Sequence, residues 1–218
     1  MVKDLVLFLL FSSVVSAVAD YTNTFGEVFV WKNPHQYYHG STSGRVSALP
    51  VNTVYLTVGF YIGKTEVTQG FYTKVMGHKC PGIQCPSSTY GSSDTDPMYY
   101  LSYEHALAFI TKLNALESTT AYRLPTEYEW EVSCRYLALE GFGAGGVREM
   151  TSTYLGAYTL SEVRVDDPIG LVTGTYRVVR DLGSLDKAGS GDHCGDREGI
   201  TDKDFNTSYT GFRLIYQP

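Results

Sequence analysis

His193 and Cys194, two neighbours near the end of the chain, are the side chains best suited to nucleophilic chemistry. A thiol beside an imidazole can be activated as a thiolate, the form that attacks carbon or binds a soft metal. Adjacency in sequence does not aim an imidazole at a thiol, so the pair alone does not predict catalysis. Cys194 is nevertheless the catalytic candidate that the sequence offers.

The remaining cysteines fit structural roles in an oxidising compartment. Cys80 and Cys85 enclose the turn-forming pair Pro81-Gly82, which predicts a local disulfide. A zinc site would need a second pair of cysteines or histidines at suitable spacing, and the sequence has none. Cys134 and Cys194 either pair with each other or stay free, and the sequence leaves both alternatives open.

No further motif of known chemistry is present. The chain lacks the GxSxG, HExxH, P-loop and GxGxxG patterns. His35 and His39 are four residues apart, but Pro34 and the surrounding glycines and serines predict a loop and not a metal-binding helix face. Motif chemistry alone therefore predicts a globular domain without a recognisable active site.

Composition places the chain among globular proteins of one domain. Its 218 residues are 43% hydrophobic and 14% aromatic, enough to fill a core. The net charge is −6, and lysines and arginines form no run. Binding to nucleic acid or to an anionic membrane needs clustered positive charge, so the sequence disfavours both kinds of binding.

The first 19 residues have the pattern of a secretory signal peptide. Lys3 precedes an apolar run, and Ala17-Val18-Ala19 has the small-x-small pattern of a cleavage site. The run is too short to cross ~30 Å of hydrocarbon comfortably; a buried first strand or an N-terminal anchor is the alternative. We expect a secreted or periplasmic protein cleaved near Ala19, with no transmembrane segment in the mature chain.

Three helices are expected to position the polar residues. They follow Thr68, Ser102 and Thr126, whose hydroxyls suit the N-cap position, and the first ends at Gly77. On the third helix, Trp130, Cys134 and Leu137 form the predicted buried stripe. Three acidic residues there are interpreted as capping or solvated charges and not as catalytic acids: Glu127, Glu129 and Glu131.

Strands are predicted where β-branched and aromatic residues concentrate. These runs cover 25–30, 51–60, 176–180 and 211–216. Stretches rich in glycine, serine and proline are expected to be loops: 34–47 and 78–97.

Six motifs in order along the chain resemble the formylglycine-generating (sulfatase-modifying factor) family. RLPTEYEWE followed at a distance by GFR is the most specific combination, and the six together cover roughly three quarters of the chain. The probability that six motifs match the family in this order by chance is negligible. The motifs are FYIGKTEVTQGFYTKVMG (60–77), DPMYYLSYEHALAFITKLN (96–114), YRLPTEYEWEVSCR (122–135), GGVREMT (145–151), YRVVR (176–180) and GFRL (211–214).

The resemblance implies an α+β fold. This is the family's variant of the C-type lectin fold, with two helices packed on a small twisted antiparallel sheet and much irregular loop. It divides the chain into a signal peptide at 1–19, a strand and loop lead-in at 20–49, and the family domain at 50–218. It also implies structural roles, as helix-to-sheet links or buried ion-pair partners, for Arg123, Glu127, Trp130, Arg180 and Arg213.

The same resemblance argues against the family's copper chemistry. Its oxidases hold copper(I) between two cysteines just after an RGGS-like segment. Here no cysteine lies between Arg180 and Cys194. Cys194 instead precedes Arg197 in a C-x-x-R arrangement, where the family more often places a structural cysteine. Copper is therefore not expected, which argues against formylglycine synthesis.

A calcium ion is the one other cofactor that the resemblance allows. At the turn that matches GNVWEW in the family, Glu149 would supply a carboxylate, and Gly145 and Val147 would supply backbone carbonyls. The family's usual asparagine is replaced by Phe142, which removes one oxygen ligand.

Two functions stay open at the level of the sequence. One is a non-catalytic ligand-binding or display domain, because segment 185–210 departs most from the family and is rich in residues suited to adaptable recognition. This fold type also serves hypervariable ligand-binding proteins that vary in this segment, although an ordinary solvated loop has a similar composition. The alternative is a formylglycine-generating-type oxidoreductase, or a related metal-dependent oxidase, that acts on protein or small thiols through Cys194. The predicted contacts to a protein, peptide or glycan ligand are Asp186, Lys187, Asp192, His193, Asp196, Phe205, Asn206 and Tyr209.

Overall fold

The computed structural model describes residues 18–43, 48–79, 85–87, 91–137, 146–158, 164–180, 192–201 and 210–218. These ranges contain the helices α1 (Gln69–Met76), α2 (Tyr103–Leu116) and α3 (Glu127–Tyr136). The strands are β1 (Tyr21–Thr22), β2 (Val28–Lys32), β3 (His35–His39), β4 (Asn52–Leu56), β5 (Phe60–Gly63), β6 (Tyr122–Arg123), β7 (Arg148–Tyr154), β8 (Val165–Asp166), β9 (Tyr176–Arg180), β10 (Glu198–Thr201), β11 (Thr210–Phe212) and β12 (Ile215–Tyr216).

The strands form three small sheets. One has the order β1-β2-β5-β12-β6, the second β10-β9-β7-β11, and the third β3-β4-β8. Most pairs are antiparallel, but β11 pairs with β7, and β4 with β8, in parallel. Because β12 lies between β5 and β6, the C-terminal strand joins early and middle parts of the chain. The predicted α+β, C-type-lectin-like fold is confirmed.

Each helix begins where its N-cap residue predicts. Thr68, Ser102 and Thr126 all accept a hydrogen bond from a backbone amide three residues on. Thr126 and Glu129 form the reciprocal capping box, and Gly77 ends α1 with φ of 84°, the left-handed conformation that glycine tolerates best. Such caps are each worth about 1 kcal/mol.

Aromatic rings join the helices to the sheets in the main core. Tyr72 of α1 stacks on Phe109 of α2 at 5.5 Å between ring centroids, and Phe109 meets Phe212 of β11 edge-on at 5.4 Å. All three side chains are fully buried. Burial of such a ring contributes about 1.5–3 kcal/mol. Within the described ranges, no helix is long and apolar enough to cross a membrane.

The structure corrects two sequence-based expectations. The loop predicted at 34–47 contains β3, whose Tyr37 and His39 point inwards and are buried. The strand forms because it pairs along its whole length with β4, a long-range contact that local composition does not encode. Glu127 and Glu131 are buried and not solvated, because arginines from distant strands and loops neutralise them.

Candidate functional site around Cys194

Cys194, the candidate nucleophile, is bonded to Cys134. The disulfide joins α3 to the segment before β10, with 5.7 Å between the Cα atoms. The cysteines among the described residues are all disulfide-bonded, including Cys85, whereas Cys80 lies outside the described residues. The sulfur of Cys194 is therefore not available as a thiolate in this structure.

His193 lies beside this disulfide. A ring nitrogen of His193 and the sulfurs of Cys134 and Cys194 all lie within 4.8 Å of one another. Two thiolates and an imidazole would suit a soft metal such as copper(I) or zinc. The sulfurs are bonded to each other, however, so the oxidised site does not fit a metal ion.

Next to the disulfide, Glu131 is the centre of a buried group of charges. Its carboxylate accepts hydrogen bonds from Arg180 Nη2 at 2.5 Å and from Arg135 Nε at 2.8 Å. His39 Nδ1 lies 2.9 Å from the same carboxylate, and the Gly40 amide donates to it at 2.8 Å. We refer to the side chains of His39, Glu131, Arg135 and Arg180 as the Glu131 cluster.

The cluster keeps Glu131 ionised. Burial alone would raise the pKa of its carboxyl, but the charges and hydrogen bonds of His39, Arg180 and Arg135 outweigh burial and hold the pKa well below its usual range. The imidazole of His39 packs between two tyrosine rings, at 4.3 Å from Tyr128 and 4.8 Å from Tyr158. His39, Glu131 and Arg180 are buried, and only Arg135 of the four is partly exposed, so the geometry is that of a structural charge centre.

Three arginines connect this buried centre to residues 192–197. Arg180 Nη2 donates to the Cys194 carbonyl at 2.5 Å, and Arg135 Nη2 donates to Asp192 at 2.8 Å. Arg197 Nη2 donates to Glu127 at 3.0 Å. Together with the disulfide, these contacts fix the middle of the 185–210 segment, residues 192–197, to α3.

A second buried ion pair occupies the position proposed for calcium. The carboxylate of Glu149 accepts two hydrogen bonds from Arg213, at 3.0 and 2.9 Å, and one from Trp130 Nε1 at 2.8 Å. A ligand already neutralised in this way is a poor partner for a cation. Gly145 lies outside the described residues, and the amide of Val147 donates to Glu66 at 3.0 Å. The one side-chain ligand proposed, Glu149, is therefore already paired with Arg213, and the calcium site stays a prediction.

Glu66, beside this ion pair, gives the protein a testable pH dependence. Burial and the nearby charge of Glu149 raise the pKa of Glu66 to about 7. An acid whose pKa is raised on folding favours the folded state at low pH, and this stability is lost as pH rises from the ordinary glutamate value through the folded one. The window is therefore pH 4.5 to 7.

We expect Glu66→Gln to remove this penalty. The variant's free energy of unfolding, minus that of the unchanged protein, should be about 2–3 kcal/mol larger at pH 8 than at pH 5. Urea unfolding at the two pH values measures the difference. Glu104→Gln, on the exposed face of α2, is the control and should show no such change. A Glu66→Gln variant that tracks the unchanged protein at both pH values would contradict the argument.

The predicted ligand contacts fall into three groups. His193 is half-buried beside the disulfide, and Asp192 is half-buried but already engaged by Arg135. Asp196 is fully buried, so it could reach a ligand only after a rearrangement. Five others lie outside the described residues: Asp186, Lys187, Phe205, Asn206 and Tyr209.

Each structural residue predicted from resemblance is engaged in an ion pair or a side-chain hydrogen bond. Arg180 and Arg213 are fully buried and ion-paired. Arg123 forms a two-pronged pair with Glu129, at 2.7 and 2.6 Å, and stays partly exposed. Thus the helix with the RLPTEYEWE motif is tied to sheets on two sides.

Sequence reasoning missed His39 and Arg135. The spacing of Glu131 and Arg135, four apart on α3, was a local signal for their pairing. Glu127 and Glu131 also lie on the same helix face as Trp130 and Cys134, which indicated burial. No local signal linked His39 to α3, because 92 residues separate it from Glu131 (131 − 39).

Comparison with known families decides the relationship. A family profile described as "Sulfatase-modifying factor enzyme 1-like domain" matches residues 24–143, more than half of the chain. The chain belongs to this family. The match begins inside the predicted lead-in, consistent with the pairing of β2 with β5. No curated protein sequence matches the chain.

Solved structures share the fold of this family member. Treponema denticola variable protein 1 is 22% identical, with a TM-score of 0.72 over 92% of this chain and 100% of that one. PvdO from Pseudomonas aeruginosa is 16% identical, with a TM-score of 0.73 over 92% and 98% of the two chains. CarF is 17% identical, with a TM-score of 0.55 over 87% and 98%. At such low identities these likenesses show the fold and do not transfer an activity.

Proposed function

We propose that this protein is a secreted, non-catalytic ligand-binding or display domain that makes its contacts through segment 185–210. The observation that carries the proposal is the disulfide between Cys134 and Cys194. A sulfur held in a disulfide is neither a nucleophile nor a thiolate ligand. The family fold is retained, while its candidate reactive group serves as a structural link.

The anchoring of residues 192–197 also supports binding through this segment. The disulfide and the arginine contacts hold its middle part rigidly on α3. Recognition loops bind better when a rigid base limits the entropy lost on binding. Predicted partners are a protein, a peptide or a glycan.

Secretion is part of the proposal. The Cys134–Cys194 disulfide is compatible with an extracellular or periplasmic location, where such bonds persist. Cleavage of the predicted signal peptide should yield a mature chain that begins near Asp20. Sequencing the N-terminus of protein recovered outside the cytoplasm tests this, and an exported chain that still begins at Met1 would contradict it.

Binding can be tested on peptide and glycan arrays with the full mature chain. A specific hit should be lost when Asp186, Lys187 and Tyr209 are changed together to alanine. Tyr38→Ala, an exposed tyrosine on β3, is the matched control and should leave the hit unchanged. Hits that survive the triple change, or that Tyr38→Ala removes equally, would contradict the assignment to 185–210.

Oxidase chemistry is the second candidate, favoured by the position of His193 beside both sulfurs. It requires the disulfide to be reduced first, so that two thiolates and an imidazole can hold a soft metal. Protein treated with reductant should then bind copper(I) and consume oxygen with a cysteine-containing peptide. If reduced protein binds no copper(I) and leaves the peptide unchanged, only the non-catalytic function remains.

A further inference from the structure

Lys32, on β2, is a buried lysine without an ionic partner. The residue is only 6% exposed, whereas lysines are almost never buried unless they are paired. Among the described residues, its Nζ has no hydrogen-bond or ion-pair partner. Nor is this Nζ one of the fully enclosed polar atoms that lack a partner in the described part of the chain. The small exposed area of Lys32 therefore includes the amine itself.

The sheet places the Lys32 side chain on an apolar face. Lys32 lies directly opposite Phe60 in the pairing of β2 with β5, so the two side chains share one face of the sheet. Phe60 and Ile62 of β5 are buried in the smaller core, together with Val132 of α3. Tyr136, at the end of α3, lies over the amine, with 5.5 Å between Nζ and the ring centroid. The face of this ring is thus the contact that Lys32 makes as a cation.

These surroundings make the Lys32 amine more nucleophilic than that of a solvated lysine. Burial lowers the pKa of the amine, and no neighbouring charge counteracts the shift. The titratable groups beside it are Tyr136 and His35, whose rings lie 4.3 Å apart. Burial and the charge of Lys32 lower the pKa of His35 as well. A larger share of neutral amine, the form that attacks carbonyl carbon, is therefore present at pH 7.

We propose that Lys32 is a modification site that condenses with small, uncharged aldehydes. Nζ adds to the carbonyl carbon and forms a C–N bond, while the carbonyl oxygen takes up a proton and becomes a hydroxyl. This hydroxyl then leaves with the remaining amine proton as one molecule of water, and a C=N bond forms. The product is an imine, and the step needs no oxidant or reductant.

The contacts of Lys32 favour an imine over other products of a lysine amine. A protonated imine keeps a positive charge over the Tyr136 ring and so retains the cation–π contact. A carbamate formed with carbon dioxide would instead place an anion on the apolar face, without a cation to pair with it, which is costly. The small exposed area of Lys32 limits the aldehyde to a small one. None of these contacts involves segment 185–210, so the test does not depend on the proposed binding function.

The test treats the full mature chain at pH 7 with propanal and sodium cyanoborohydride, which converts the imine into a stable alkylamine. Peptide mapping by mass spectrometry measures the labelled fraction of each lysine, separately from the N-terminal amine. We expect at least about tenfold more label at Lys32 than at the exposed Lys64. Between pH 7 and pH 9, label at Lys64 should rise about tenfold per pH unit, whereas label at Lys32 should rise less steeply.

Two changes at Tyr136, a residue 49% exposed, separate nucleophilicity from access. Tyr136→Ala lets water reach the amine, so the pH dependence of Lys32 labelling should approach that of Lys64, whatever happens to the amount of label. Tyr136→Phe keeps the ring and is the matched control, which should leave the pH dependence of Lys32 unchanged. Circular dichroism verifies that both variants are folded.

Three results would overturn the proposal. The first is label at Lys32 that does not exceed that at Lys64 and follows the same pH dependence. The second is a Tyr136→Ala variant in which the pH dependence of Lys32 labelling is the same as in the unchanged protein. The third uses ¹³C-bicarbonate in place of propanal: a carbamate resonance that Lys32→Met removes, without aldehyde label at Lys32, would favour carbon dioxide.

Discussion

Replacement of Glu131 by glutamine is expected to lower the free energy of unfolding by about 3–5 kcal/mol. The change leaves Arg180 fully buried next to an amide that cannot balance its charge. It also removes the charge that pairs with Arg135 and with His39. Breaking a buried ion pair at one partner is costly because the remaining charge has lost its hydration without compensation.

Urea unfolding at pH 7 measures this effect. Glu104→Gln, the same change at an exposed position of α2, is the control and should stay within about 0.5 kcal/mol of the unchanged protein. A double variant, Glu131→Gln with Arg180→Met, should lose less than the sum of the two single changes because the charges are coupled. Additive losses would show that the pair does not interact as its distance indicates.

The effect of Glu131→Gln should also depend on pH. Because its partners lower the pKa of Glu131 in the folded state, the carboxylate contributes stability above the ordinary glutamate value, and this stability is lost as pH falls. The difference in free energy of unfolding between the variant and the unchanged protein should therefore become smaller below about pH 4. Stability from Glu131 is thus lost as pH falls, whereas stability from Glu66, whose pKa is raised, is lost as pH rises.

Loss of the Cys134–Cys194 disulfide is expected to have the other large effect. The bond joins residues 60 apart in sequence, and closing a loop of that length removes entropy from the unfolded chain worth about 4 kcal/mol. The variant with serine at both positions should therefore unfold at a lower urea concentration, with a loss of about 2–4 kcal/mol. Reducing the unchanged protein with dithiothreitol should bring it close to the variant.

The control for this prediction is the Cys80→Ser, Cys85→Ser variant. The loop between these positions spans only six residues, so the entropy model gives a smaller loss of about 2 kcal/mol. Equal unfolding midpoints for the Cys134/Cys194 variant and the unchanged oxidised protein would contradict a stabilising disulfide. A free-thiol assay on native protein should detect no thiol at Cys194.

Features set by near neighbours in the chain were predictable from the sequence. The N-caps at Thr68, Ser102 and Thr126 depend on a hydroxyl and on the amide three residues later, so four consecutive residues encode them. The glycine end of α1 follows from the same local rule. The order of family motifs likewise indicated the fold, because each motif marks one element of it.

Features that depend on distant contacts were decided by the tertiary structure. The composition of 34–47 favours a loop, yet β3 forms because β4 satisfies its backbone hydrogen bonds. Glu131 resembles a solvated helix charge until Arg180, 49 residues later, is placed beside it. A carboxylate is buried or exposed according to whether a compensating cation lies near it in space, and the sequence does not encode that distance locally.

The role of Cys194 also depended partly on the sequence and partly on the tertiary structure. The sequence determined that the family scaffold is present and that the two-cysteine copper segment is absent after Arg180. It left Cys134 and Cys194 either paired or free. Folding brings their Cα atoms to 5.7 Å by packing α3 against the segment before β10, and at that distance the sulfurs can bond. The sequence thus determined the scaffold, and only the tertiary structure decided that its one candidate nucleophile is a structural link.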